Sequence, residues 1–138
     1  MSEGDVERVR RGYEALNRGE LRPETFGAEF EIVEPPEQPG AETRHGPKGV
    51  SDSMTALSEA FDDMQYHPER FIDCGDKVVA LLRVRGRGKG SGIVVERKVA
   101  HVWSLQDRKP VRVEIYLDIA EAMTAVGLSE QDTHGDAS

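Results

Sequence analysis

Apolar residues recur in this chain with two periods, and the switch between them separates a mainly helical first half from a sheet-forming second half. Val6, Val9, Tyr13 and Leu16 stand three or four residues apart and predict a helix, capped by Asp5 or Ser2, that runs to about Asn17 and is ended by Gly19. Arg22-Pro23-Glu24-Thr25-Phe26 reads as a short helical turn leading into a strand over residues 30–34. Residues 35–47 are rich in Pro and Gly and read as a surface loop. Val50, Met54, Leu57 and Phe61 then form the apolar stripe of a second helix over residues 47–62.

From residue 65 onward the pattern is β. A strand over 65–73 is interrupted by Pro68, which suits a sheet edge and leaves Tyr66 and His67 at the surface. Strands over 77–85, 93–105 and 111–118 follow, joined by Gly75-Asp76, by a glycine-rich loop over 86–92 and by Asp107-Arg108. A short helix over 119–126, stopped by Gly127, closes the pattern. Helices on one face of a curved antiparallel sheet make an α+β fold. One domain is expected over residues 6–128, with flexible tails at 1–5 and 129–138.

The last hairpin sets the expected faces. A plain two-residue turn at Asp107-Arg108 puts His101 opposite Glu114 and Trp103 opposite Arg112, with Ala100 opposite Ile115 and Val102 opposite Val113 on the other side. The wholly apolar side is expected to meet the helices. The mixed side, with Trp103 and Tyr116, is expected to face outward.

Composition narrows the class. A chain of 138 residues buries a sizeable core without a disulfide or metal staple. One cysteine, Cys74, allows no internal disulfide and fits a reducing, cytoplasmic setting. A formal net charge of -8 disfavours nucleic acid and anionic lipid, and neither a bilayer-spanning stretch nor a signal-peptide core is visible. The run from Arg85 to Gly92 has glycines and cations but joins two strands, so it meets neither nucleotide-binding context. His45, His67, His101 and His134 are scattered away from zinc-like spacings, so no metal is expected.

Four groups could carry chemistry. Glu34 ends a strand and is followed by Pro35-Pro36; such a carboxylate at a dry pocket mouth suits proton abstraction, or is simply a solvated strand-end acid. His101 and Glu114 form either an acid–base pair or, as their outward face favours, an interface pair beside Trp103 and Arg112. Asp118 precedes Ile119-Ala120-Glu121 and reads first as a helix N-cap, and second as a catalytic acid.

Several phrases together resemble the nuclear transport factor 2-like superfamily, in its SnoaL-like branch of proteins related to polyketide cyclases and ketosteroid isomerase. They are Tyr13-Glu14-Ala15-Leu16-Asn17-Arg18-Gly19-Glu20, Ile32-Val33-Glu34-Pro35, His45-Gly46-Pro47-Lys48-Gly49-Val50, Ala100-His101-Val102-Trp103 and Glu114-Ile115-Tyr116-Leu117-Asp118. The resemblance implies a cone: a curved sheet wrapped around a helix, with an apolar pocket at its open end, and a homodimer through the outer sheet face. It maps the isomerase base onto Glu34, but its oxyanion-hole Tyr falls on Gly12 and its Asp on Ala100. The Arg and two Asp residues of the related limonene epoxide hydrolase fall on Val78, Ala80 and Ile115, and its mechanism is excluded.

The resulting expectation is a pocket for a small apolar molecule. Tyr13, Val78, Ala80, Leu82 and Val84 line one side of it, and Ala100, Val102, Val113 and Ile115 the other. His101, Trp103, Arg112, Glu114 and Tyr116 are expected at the dimer face. No cofactor is called for. The chain is either a cofactor-independent isomerase, cyclase or dehydratase using a carboxylate base, a non-catalytic carrier, or a dimerisation module.

Overall fold

The computed structural model describes residues 2–128. In chain order the elements are α1 (Ser2–Asn17), a single 3-10 turn (Pro23–Thr25), β1 (Glu31–Val33), β2 (Thr43–His45), α2 (Gly46–Ala60), β3 (Phe61–Asp73), β4 (Lys77–Gly88), β5 (Val94–Gln106), β6 (Lys109–Tyr116) and α3 (Ile119–Ala125). Six strands form one open sheet in the order β2-β1-β6-β5-β4-β3. All neighbours are antiparallel except β1 and β6, which run parallel, so the sheet is mixed.

The elements end where local chemistry stops them. Gly19 takes φ 71° just past α1, the left-handed conformation that glycine adopts without a Cβ penalty. Asp118 caps α3, its carboxylate accepting from the Glu121 amide at 3.2 Å. Pro68 sits on edge strand β3 beside a register shift between Pro68 and Arg70, where a missing N–H is tolerated. The same edge is secured by Asn17: its side-chain amide donates to the Tyr66 carbonyl at 2.7 Å and accepts from the Tyr66 amide at 2.8 Å. The segment expected to be all loop contains β2, which pairs Thr43, Arg44 and His45 with β1.

The terminal hairpin departs from its expected register. Asp107 and Arg108 do form a two-residue turn, both with positive φ (51° and 65°), as the twist-matched hairpin turn requires. Gln106 pairs with Lys109 and Leu105 with Pro110, but Ser104 pairs with Arg112, leaving Val111 as an extra residue. Pro110 has no N–H to donate to the ladder, and a bulge beside it accommodates that loss. One extra residue exchanges every subsequent pairing. His101 now opposes Ile115, Trp103 opposes Val113, and Val102 opposes Glu114.

His101 and Trp103 therefore point inward, toward α1 and α2, rather than outward. Val9, Tyr13, Val78, Ala80, Leu82, Val99 and Leu105 form the inner core, with Trp103 packed against it. Phe30, Ile32, Val50 and Val113 continue it beneath α2. Ala100 and Val102 lie instead on the outer face with Val79, under Ala122 and Met123 of α3. Both faces thus bury apolar side chains: the indole packs against the inner core, and Ala100 and Val102 are sealed under α3.

Candidate functional site

The inner wall is not uniformly packed. Val78, Ala80, Leu82, Val99 and Val113 are buried, whereas Val84, His101, Trp103, Ile115 and Leu117 on the same face keep part of their surface open. On the helices above them, Leu16, Met54 and Leu57 are also half-open. This combination marks a hollow between α1 and α2. Where the end of α1, α2 and the start of β3 meet lies a cavity of about 290 Å³ lined by Leu16, Met54, Leu57, Ser58, Phe61, Met64 and Tyr66, with Asp62, Asp63 and Lys89 at the rim; the half-open residues of the inner wall do not border it. The rim is tied by ion pairs from Lys89 to Asp62 (2.8 Å) and from Arg87 to Asp63 (2.9 Å). The cations of the glycine-rich segment thus brace the mouth of the cone.

Aromatic rings run inward from this cavity. Tyr66 lies 6.4 Å from both Tyr13 and His101, centroid to centroid, and Tyr13 lies 5.8 Å from His101 and 6.1 Å, edge-on, from Trp103. Tyr66, expected at the surface, faces the interior; the alternation Met64, Tyr66 is the sequence signal that placed it there.

Three of these rings share polar hydrogens. The Trp103 Nε1–H donates to the Tyr13 hydroxyl oxygen at 2.8 Å, and that hydroxyl lies 2.7 Å from His101 Nδ1. Indole nitrogen is only a donor, so the Tyr13 oxygen accepts from it and its own proton goes to Nδ1. This assignment, which gives the buried phenol proton an acceptor, puts the proton of His101 on Nε2. Burial pushes the Tyr13 hydroxyl far above the usual phenol range and pushes the Tyr66 hydroxyl up to about 12. Burial also pushes His101 down from 6.5 to about 4, so the imidazole is neutral at pH 7.

Glu34 occupies a different place. It is 5% exposed, and its carboxylate accepts from Arg44 Nε (3.0 Å), Ser53 Oγ (3.2 Å) and the Glu42 amide (3.2 Å). The residue just after β1 supplies the acid, β2 the guanidinium and α2 the hydroxyl, so the three groups clamp those elements together. Gly49 of α2 makes the approach possible: a Cβ there would stand 2.9 Å from Arg44 Cβ and 3.0 Å from its carbonyl carbon. Arg44 and Ser53 carried no recognisable motif in the sequence.

The other candidates separate. Glu114 lies on the outer face, accepting from Arg112 and Tyr116, each at 3.4 Å, and does not meet His101. Arg112 also binds Glu31, and with His45 it holds the Glu31 carboxyl below the usual range. Of the five residues expected on the outer face, Arg112, Glu114 and Tyr116 remain there. Asp118, besides capping α3, borders a broad, open depression of about 510 Å³ with Glu37, Arg97 and Leu117. Of the expected lining, Tyr13, Val78, Ala80, Leu82, Val84, Val113 and Ile115 face inward; Ala100 and Val102 do not. Burial and the Asp73 charge raise the Cys74 thiol, which disfavours a reactive thiolate. Among the described residues no three His, Cys, Asp or Glu side chains cluster as a metal site would require, and no helix is long and apolar enough to cross a membrane.

A curved six-stranded sheet clasping α1, with a hollow beneath two helices, defines an α+β cone of the nuclear transport factor 2-like type. The chain belongs to the SnoaL-like domain family, whose model matches residues 9–113. Among solved structures it resembles an NTF2-like protein of unknown function from Burkholderia pseudomallei (23% identity, TM-score 0.74, covering 90% of this chain and 98% of that one). It also resembles an NTF2-like protein from Burkholderia thailandensis (26%, TM-score 0.72, 86% and 96%). A third likeness is to TerC co-crystallised with polyporic acid (21%, TM-score 0.72, 89% and 98%). No curated protein matches the chain in sequence.

Proposed function

We propose that this protein binds a small, largely apolar molecule in the hollow between α1 and α2, and holds it without a carboxylate base. The observation that carries this reading is the cavity of about 290 Å³ lined by Leu16, Met54, Leu57, Phe61, Met64 and Tyr66. Its size is at the lower end of ligand pockets, and its lining is apolar with a polar rim, as such pockets are. The likeness to TerC, a protein crystallised with polyporic acid, supports the choice of a first probe.

The alternative, an isomerase, cyclase or dehydratase acting through Glu34, draws less support. A base needs a free lone pair facing the substrate. The Glu34 carboxylate is engaged by three donors in a clamp between strands and helix, and it borders neither cavity described above.

Native mass spectrometry of the purified protein, followed by calorimetric titration with polyporic acid and a panel of aromatic ketones and quinones, tests the proposal. A retained metabolite or saturable binding supports it. No retained mass, and no panel member binding more tightly than about 1 mM, removes it.

A further inference from the structure

We propose that His101 selects the ligand, offering its Nε2–H to a carbonyl or enolate oxygen of the apolar molecule held between α1 and α2. The inference rests on the binding reading above and adds a chemical class to it: the ligand carries a hydrogen-bond acceptor on an otherwise apolar skeleton.

Three observations converge. The first is the tautomer. Trp103 donates to Tyr13 and Tyr13 donates to Nδ1, so the proton of the neutral ring stands on Nε2. The second is vacancy. The Tyr13 hydroxyl is the only hydrogen-bond partner of the imidazole among the described residues, and Nε2 is not one of the fully enclosed polar atoms left without a partner. Because Nε2–H keeps access and has no acceptor on the protein, a ligand oxygen can accept from it without breaking a protein hydrogen bond. The third is position. His101 stands on the inner wall, half-open; it does not itself border the cavity of about 290 Å³, but its ring centroid lies 6.4 Å from that of Tyr66, which does.

The relay also explains why this donor is rigid. Tyr13 is spent on the imidazole and cannot serve a ligand itself. The ring is pinned at Nδ1 and packs beside the Tyr13 and Tyr66 rings, so little reorientation accompanies binding. A ligand cation would find neither an anion nor an acceptor at Nε2, so the geometry selects acceptors over ammonium groups.

A matched pair of probes tests this: 2-acetylnaphthalene, which has the carbonyl, and 2-ethylnaphthalene, which lacks it. The readout is the ketone-to-hydrocarbon affinity ratio in the wild type divided by that ratio in His101→Phe. A value of about five to ten is expected from one neutral hydrogen bond. A value near one, with both probes bound, overturns the inference and leaves the binding reading intact. If neither probe binds the wild type, both fail together.

Nitrogen-15 NMR of histidine-labelled wild type needs no variant, and it decides the matter if His101→Phe loses both ligands through misfolding. Nε2–H is expected in the free protein, shifted by the ketone and left in place by the hydrocarbon. A proton on Nδ1, or no difference between the probes, overturns the inference.

Discussion

The indole of Trp103 and the hydroxyl of Tyr13, 90 positions apart in sequence, meet at 2.8 Å on the inner wall of the cone. This bond joins the central sheet to α1, and its polarity determines which nitrogen of His101 carries the proton. Stability and chemistry of the interior therefore depend on the same contact.

Trp103→Phe keeps most of the ring packing and deletes the donor. A loss of about 1 kcal/mol is expected, against about 3 kcal/mol for Trp103→Ala, which also opens a void. Urea denaturation of the three proteins checks the difference. Equal losses in both variants would mean that packing alone matters.

Acid should weaken the fold through His101. Its folded value is depressed from 6.5 to about 4, so the unfolded chain takes up the proton first as pH falls. The contribution is complete above pH 6.5, declines between 6.5 and 4, and is gone below that window. Its size is about 3 kcal/mol. The difference between the stability curves of wild type and His101→Gln isolates it from the carboxylates; a flat difference over this range would contradict a neutral, buried imidazole.

The Glu34–Arg44 clamp should matter for folding. Glu34→Gln is expected to cost about 2 kcal/mol, and Arg44→Met about 3 kcal/mol, because the latter strands a buried carboxylate. Guanidinium titration measures both. If neither variant is destabilised, the carboxylate is free for another use and the base reading returns.

Leu57→Trp should fill the cavity that Leu57 lines. Thermal stability is expected to stay within about 1.5 kcal/mol of wild type, while uptake of any ligand that the wild type binds falls at least tenfold. Unchanged uptake by calorimetry would place the binding site elsewhere.

Much of the architecture was legible because it rests on local periodicity. The stripe Val6, Val9, Tyr13, Leu16 found α1, and Val50, Met54 and Leu57 found α2, although Phe61, counted in that stripe, opens β3 instead. Asp107-Arg108 was read correctly as a two-residue turn. The site was less legible. The bulge at Val111 depends on the competition between burying Trp103 and keeping an unbroken ladder, which is settled in three dimensions. Once that register moves, His101 trades Glu114 for Tyr13 as its partner. Glu34 was singled out for its proline context, yet its partners Arg44 and Ser53 are brought to it by β2 and α2. β2 itself was hidden in a segment whose Pro and Gly content signalled only loop, because three residues paired to a short strand leave almost no period to detect.

The amide of Asn17 occupies the two backbone positions of Tyr66 that an incoming strand would otherwise claim. The last residue of a helix thus acts as a one-residue surrogate strand. At that point on the sheet margin a stray polypeptide finds no free template, and protection against edge-to-edge aggregation comes from the same helix that borders the interior cavity.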